Sequence, residues 1–166
     1  MLRRLLLALL LSPLLAPLAG CGFHLRSEQA VSYKAMAVQG KAGAFMDLLK
    51  RQLAAQGVTL VAPNQAEAVL TILDDSTSQT AMAYNADGTV AEYQLNLDLR
   101  YQLAAPNGDL LIAPTALHQV SYLSYATSVS LAKADEADLL YRGMRQDLLT
   151  RILFQLSARH APVAAP

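Results

Sequence analysis

A single cysteine, no tryptophan and no apolar run long enough to cross a bilayer set the first limits on this chain of 166 residues. One cysteine excludes an intramolecular disulfide, so the fold must rest on its apolar core alone. The longest apolar stretch, 5–19, falls short of the ~20 residues that a spanning helix needs, and Pro13 and Pro17 interrupt it. An excess of basic residues is also missing: 13 Lys and Arg face 13 Asp and Glu, which removes the electrostatic footprint of a nucleic-acid binder. No Gly-x-Ser-x-Gly turn is present. His118 and His160 are distant from His24, and no Cys, Asp or Glu sits near those two at ligand spacing, so neither a metal site nor a cofactor is expected.

What is present begins with Arg3 and Arg4 followed by the leucine-rich run 5–11, the charged and apolar parts of a secretory signal peptide. Leu18-Ala19-Gly20-Cys21 then resembles the lipobox of bacterial lipoproteins. That resemblance implies cleavage after Gly20 and a Cys21 that carries a thioether-linked diacylglycerol and an N-acyl chain. Several acyl chains give stable anchoring because each buried methylene contributes roughly 0.8 kcal/mol. The alternative is a buried free cysteine behind an ordinary signal peptide. Gly22 follows, where an aspartate would mark inner-membrane retention, so the expected location is the outer membrane, facing the periplasm. Loss of the two leader arginines leaves 11 basic against 13 acidic residues, a net charge of −2.

The organisation expected is a signal peptide over 1–20, a lipidated N-terminus and linker over 21–32, one domain over 33–158 and a short tail over 159–166. A first strand is read at 33–38, broken by Gly40 and Gly43. Phe45, Leu48, Leu49 and Leu53 share one helical face over 44–56, and Gly57 offers a left-handed cap. A strand-like run at 58–61 and a turn at Pro63-Asn64 precede a second strand over 68–73, which Asp74 and Asp75 are expected to end. Neighbouring carboxylates on a strand point to opposite faces, so the pair is not a joint catalytic or calcium site. The clearest signal is the alternation of Glu92, Gln94, Asn96, Asp98, Arg100 and Gln102 with Tyr93, Leu95, Leu97, Leu99, Tyr101 and Leu103: one long antiparallel strand with a dry and a wet face. Pro106-Asn107-Gly108-Asp109 turns it into a partner over 110–125. Leu140, Met144, Leu148, Ile152 and Leu156 form the stripe of a last helix that ends near 158.

The fold class expected is α+β, with two helices packed on one face of a mostly antiparallel four-stranded sheet. The other face, carrying Gln94, Asn96, Asp98 and Arg100, is expected to be polar, helix-free and available to a partner or ligand.

Cys21 with Gly22-Phe23-His24-Leu25-Arg26, Ala91-Glu92-Tyr93-Gln94 opening the long strand, Leu131-Ala132-Lys133 with Glu136, and Met144-Arg145-Gln146-Asp147-Leu148 occur in an order that resembles the LptE family of lipopolysaccharide-assembly lipoproteins, from Cys21 to about Leu156. The resemblance implies a non-catalytic lipoprotein that plugs and stabilises the large outer-membrane β-barrel LptD, helps deliver lipopolysaccharide to the outer leaflet and contacts lipopolysaccharide itself. A polar, elongated, disulfide-free wedge suits a polar barrel lumen. Phosphate groups call for cations. Lys133 matches the family's basic position before the last helix and is the first candidate contact, while Arg100 is a second by its place on the wet face. The turn 84–88 carries no basic residue where family members often have one, a departure that bears on the strength or place of that contact. For both cations a plain structural role stands beside this: Lys133 as a solvated residue at a helix entrance, Arg100 as one half of a cross-strand ion pair. Two other readings stay open, a free-standing lipoprotein that binds lipid or cell-wall material without a barrel, and a tethered periplasmic enzyme, which is disfavoured because no nucleophile, base and oxyanion donors stand at recognisable spacing.

Overall fold

The structure is a computed structural model and describes residues 31–125 and 130–158. The expected signal peptide, Cys21, most of the linker and the tail lie outside the described residues. The elements are β1 (Ala35–Gly40), α1 (Ala44–Ala55), β2 (Thr59–Leu60), a 3-10 turn (Pro63–Gln65), β3 (Ala68–Tyr84), β4 (Val90–Ala104), β5 (Leu110–Ser124) and α2 (Ser130–Ala158).

The α+β class holds, but the sheet has five strands, in the order β2-β1-β3-β4-β5, and is mixed. β1 runs parallel to both β2 and β3, while β3-β4 and β4-β5 are antiparallel. The expected four strands do not count β2, which lies within the strand-like run read at 58–61 and whose two residues are too few to carry a periodic signal. It is fixed instead by backbone bonds such as Val61 N to Met36 O at 3.0 Å. The parallel pairing of β1 and β2 follows from α1 lying between them, since only a crossover can bring consecutive strands parallel.

α1 ends as its sequence foretells. Gly57 takes φ 82°, its amide donates to Ala54 O at 3.0 Å, and the Val58 amide donates to Leu53 O at 3.0 Å. This is the Schellman closure, and the buried side chains of Leu53 and Val58 supply its apolar contact. Before the helix, Gly40 sits at φ 112°, where a Cβ would lie 2.0 Å from the carbonyl oxygen of Ile72. Only glycine permits that approach.

β3 is the largest departure from expectation. Asp74 and Asp75 do not end the strand; it continues to Tyr84, 17 residues in all. The polar residues beyond Asp75 are held by the ladder to β4, and the threonines among them suit strand geometry. A register shift between Ile72 and Asp74 changes which residues face the helices. Leu70 and Ile72 point into the core before the shift, and Asp75 stands opposite the inward Leu99 after it.

One apolar cluster unites both helices with the sheet. Leu95, Leu97, Leu99, Tyr101 and Leu103 of β4 are fully covered, so the alternation read from the sequence is the alternation observed. Against them α2 lays Met144, Leu148, Leu149, Ile152 and Leu156. It adds Tyr141, whose hydroxyl donates to Ser78 O at 2.9 Å, and Gln155, which takes the Tyr101 hydroxyl. At 1.5 Å per residue the 29 residues of α2 span about 43 Å, close to the length of the β4-β5 hairpin it covers.

Candidate functional site

The helix-free face of the sheet is built by register. Asn96 of β4 lies between Ser78 of β3 and Val120 of β5; Asp98 lies between Ser76 and His118; Arg100 lies between Asp74 and Ala116. Because successive residues alternate in facing, the inward leucines force these polar side chains outward onto one surface. Leu73, Asp74, Asp98, Arg100, Ala116 and His118 line an open depression at its centre.

Most polar groups of this face satisfy one another. Gln94 Nε2 donates to Asn96 Oδ1 at 2.7 Å, Asn96 Nδ2 to Ser78 Oγ at 3.4 Å, and Gln39 Nε2 to Thr71 Oγ1 at 3.2 Å. Lys41 Nζ meets Asp74 Oδ1 at 2.9 Å, and Ser76 Oγ donates to Asp74 Oδ2 at 3.0 Å. The Lys41 contact, with Ser76 second, holds the Asp74 carboxyl below the usual aspartate range. Its place in solvent keeps the stabilising effect small.

Asp98 and His118 form the pair that sequence reasoning missed, Nδ1 to Oδ1 at 2.7 Å. The signal lies in the register. Counting straight back from the 106–109 turn sets Asp98 opposite Ala116, and two register shifts, between Tyr101 and Leu103 and between Leu103 and Ala104, move it to His118. The pair resembles the acid and base of a catalytic triad, yet the strand order forbids that chemistry. Asp98 stands between Ser76 and His118, so the histidine is farthest from the hydroxyl it would have to deprotonate, and Ser76 donates to Asp74 instead.

The two expected contact residues are not brought together. Lys133, in the first turns of α2, bonds Glu136 Oε2 at 2.6 Å and its side chain is only 20% exposed. Arg100 is exposed on the open face and forms no ion pair among the described residues, although Asp74 is its cross-strand neighbour. No group of three or more His, Cys, Asp or Glu suited to a metal occurs among the described residues. No described helix is long and apolar enough to cross a membrane.

Fold and site together define an α+β protein, a sheet roofed by helices on one side and presenting on the other a polar surface whose groups largely satisfy one another. The LptE family profile, described as lipopolysaccharide-assembly, matches residues 33–156. The chain belongs to that family. It is 28% identical over 163 residues to the LPS-assembly lipoprotein LptE of Photorhabdus laumondii subsp. laumondii, a match covering 95% of this chain and 88% of the relative. The same protein of Yersinia pestis (strain Pestoides F) is 28% identical over 165 residues, covering 96% and 79%. Among solved structures, an uncharacterised lipoprotein B from Nitrosomonas europaea superposes with a TM-score of 0.71 at 23% identity, covering 82% of this chain and 91% of that one. A minor lipoprotein from Acinetobacter baumannii superposes with a TM-score of 0.62 at 26% identity, covering 81% and 98%. Family membership makes this chain a lipoprotein of lipopolysaccharide assembly and not an enzyme.

Proposed function

We propose that the chain is anchored by acyl chains on Cys21 to the outer membrane, facing the periplasm, and fills the lumen of an LptD-like β-barrel, which it stabilises while contacting lipopolysaccharide. The observation that carries this reading is the open sheet face. A surface buried inside a water-lined barrel must be polar without demanding many new partners, because each unsatisfied buried group costs roughly 1–3 kcal/mol. Here Gln94, Asn96, Ser78, Asp74, Lys41, Asp98 and His118 already satisfy one another.

Arg100 is a cation of that face with no ion pair among the described residues and is therefore the leading candidate for a phosphate of lipopolysaccharide, since a guanidinium offers a planar fork of donors to phosphate oxygens. Lys133 is the second candidate: its ammonium must first leave Glu136. A photoreactive residue placed at Arg100 or Gln94 in living cells tests the arrangement. Crosslinking of those positions to the barrel, with none from the helix-side position Leu139, is the expected result; the reverse pattern overturns the proposed orientation.

A further inference from the structure

The sheet has two edges of very different character. β2 closes one with two residues. β5 forms the other with 15, and among the described residues its outer side pairs with no strand. Protein sheets protect such edges with charges, prolines or bulges. β5 uses these devices only at its start, where Pro114 sits beside the two register shifts. From Thr115 to Ser124 its register with β4 is unbroken. No Asp, Glu, Lys or Arg occurs anywhere in β5, and no residue from Ala113 to Tyr122 is buried. Ten residues of unbroken register without Asp, Glu, Lys or Arg, about 33 Å at 3.3 Å per residue, present backbone donors and acceptors that no described strand pairs.

We infer that the β5 edge pairs with β5 of a second copy of this chain, antiparallel and across a two-fold axis, when no other partner occupies it. The symmetry fits the residues. A two-fold axis perpendicular to a sheet keeps each side chain on its own face, so every cross-edge pair joins residues of equal parity and one residue lies opposite its own copy. Such self-pairing penalises a strand charged near the axis, because like charges there meet or lie diagonal to one another. β5 carries none, so no register between Thr115 and Ser124 sets like formal charges face to face. On the helix side the edge is flanked by a groove of mixed character, lined by Leu111, Ala113, Thr115, Phe154 and Gln155, with Phe154 51% exposed, and a second copy would cover part of it. The inference does not rest on the barrel reading, because the edge is a property of the chain alone.

Single cysteines introduced in turn at each position 115–124 of the full-length lipoprotein, purified in detergent without a barrel, test it under mild oxidation. A residue opposite its own copy has a Cα separation of about 4.5–5.5 Å, within disulfide reach, whereas a residue two positions away is about 13 Å from its copy. The expected result is one sharp maximum of crosslinked dimer, with flanking positions severalfold lower and both the parent chain and Leu60→Cys on the β2 edge at background. Adding Val120→Lys or, if that variant fails to fold by circular dichroism, Ala116→Lys should lower the maximum severalfold. No crosslinking at any position, equal crosslinking at all of them including Leu60→Cys, or a maximum that both lysine variants leave unchanged would overturn the inference.

Discussion

Asp74 and Arg100 face each other directly across the β3-β4 ladder, yet Asp74 gives its carboxylate to Lys41 and Ser76, and the guanidinium has no ion pair among the described residues. A cross-strand ion pair is the ordinary expectation for opposite charges in register. The bulge at Leu73 turns Asp74 onto the open face beside Lys41, which follows directly after the end of β1, and the two oxygens are then taken. Among the described residues the open face thus keeps the Arg100 cation in reserve.

Arg100→Glu should weaken lipopolysaccharide binding by about tenfold, the scale of one charge-assisted hydrogen bond lost. Lys133→Glu should weaken it less, because the ammonium is already shared with Glu136. Titration of purified protein with labelled lipopolysaccharide reads both. Equal affinity for parent and Arg100→Glu, with the fold intact by circular dichroism, removes Arg100 from the contact.

The Asp74 carboxyl, held low by Lys41 and Ser76, makes its contribution to stability above the unfolded aspartate range and loses it as pH falls through the lowered folded value. Asp74→Asn should therefore flatten the decline of stability below about pH 4. Urea midpoints for the two chains between pH 2.5 and 6 provide the check: curves of equal slope would show that the Lys41 contact contributes nothing.

Gly40→Ala should cost about 2–3 kcal/mol or more, since it meets the Ile72 carbonyl oxygen at 2.0 Å and must hold φ 112°. Gly88→Ala, with φ 83° but open space around it, should cost only the backbone strain of about 1–2 kcal/mol. Thermal or urea unfolding of the two variants separates steric from conformational cost.

Leu97→Ala, at a fully covered β4 position, should lose about 2–5 kcal/mol, whereas Leu139→Ala, 61% exposed on α2, should stay within about 0.5 kcal/mol of the parent. Similar losses in both would mean that α2 packs differently against the sheet.

The parts legible in the sequence are those with a period. β4 could be read because its inward leucines and outward polar residues alternate without a break, and α1 because Phe45, Leu49 and Leu53 repeat on one face before Gly57. β2 lies within the strand-like run read at 58–61 but is too short to count there as a strand, and the second half of β3 was hidden by polar residues that a loop would also carry. The candidate site was legible as a face but not as a set of contacts. Asp98 reaches His118 only because two bulges displace the hairpin register, and a third sets Asp74 instead of Leu73 opposite Arg100, where the Asp74 carboxylate is taken by Lys41. Bulges carry no periodic signature, so the pairings they set stay invisible until the strands are aligned.

The barrel plug is the central claim, and co-purification tests it most directly. A C-terminal tag on the full-length lipoprotein, mild detergent extraction of outer membranes and mass spectrometry of what elutes should recover a large β-barrel in equal amount, retained through a mild denaturant wash. A lipoprotein that elutes alone from the same membranes would contradict the account.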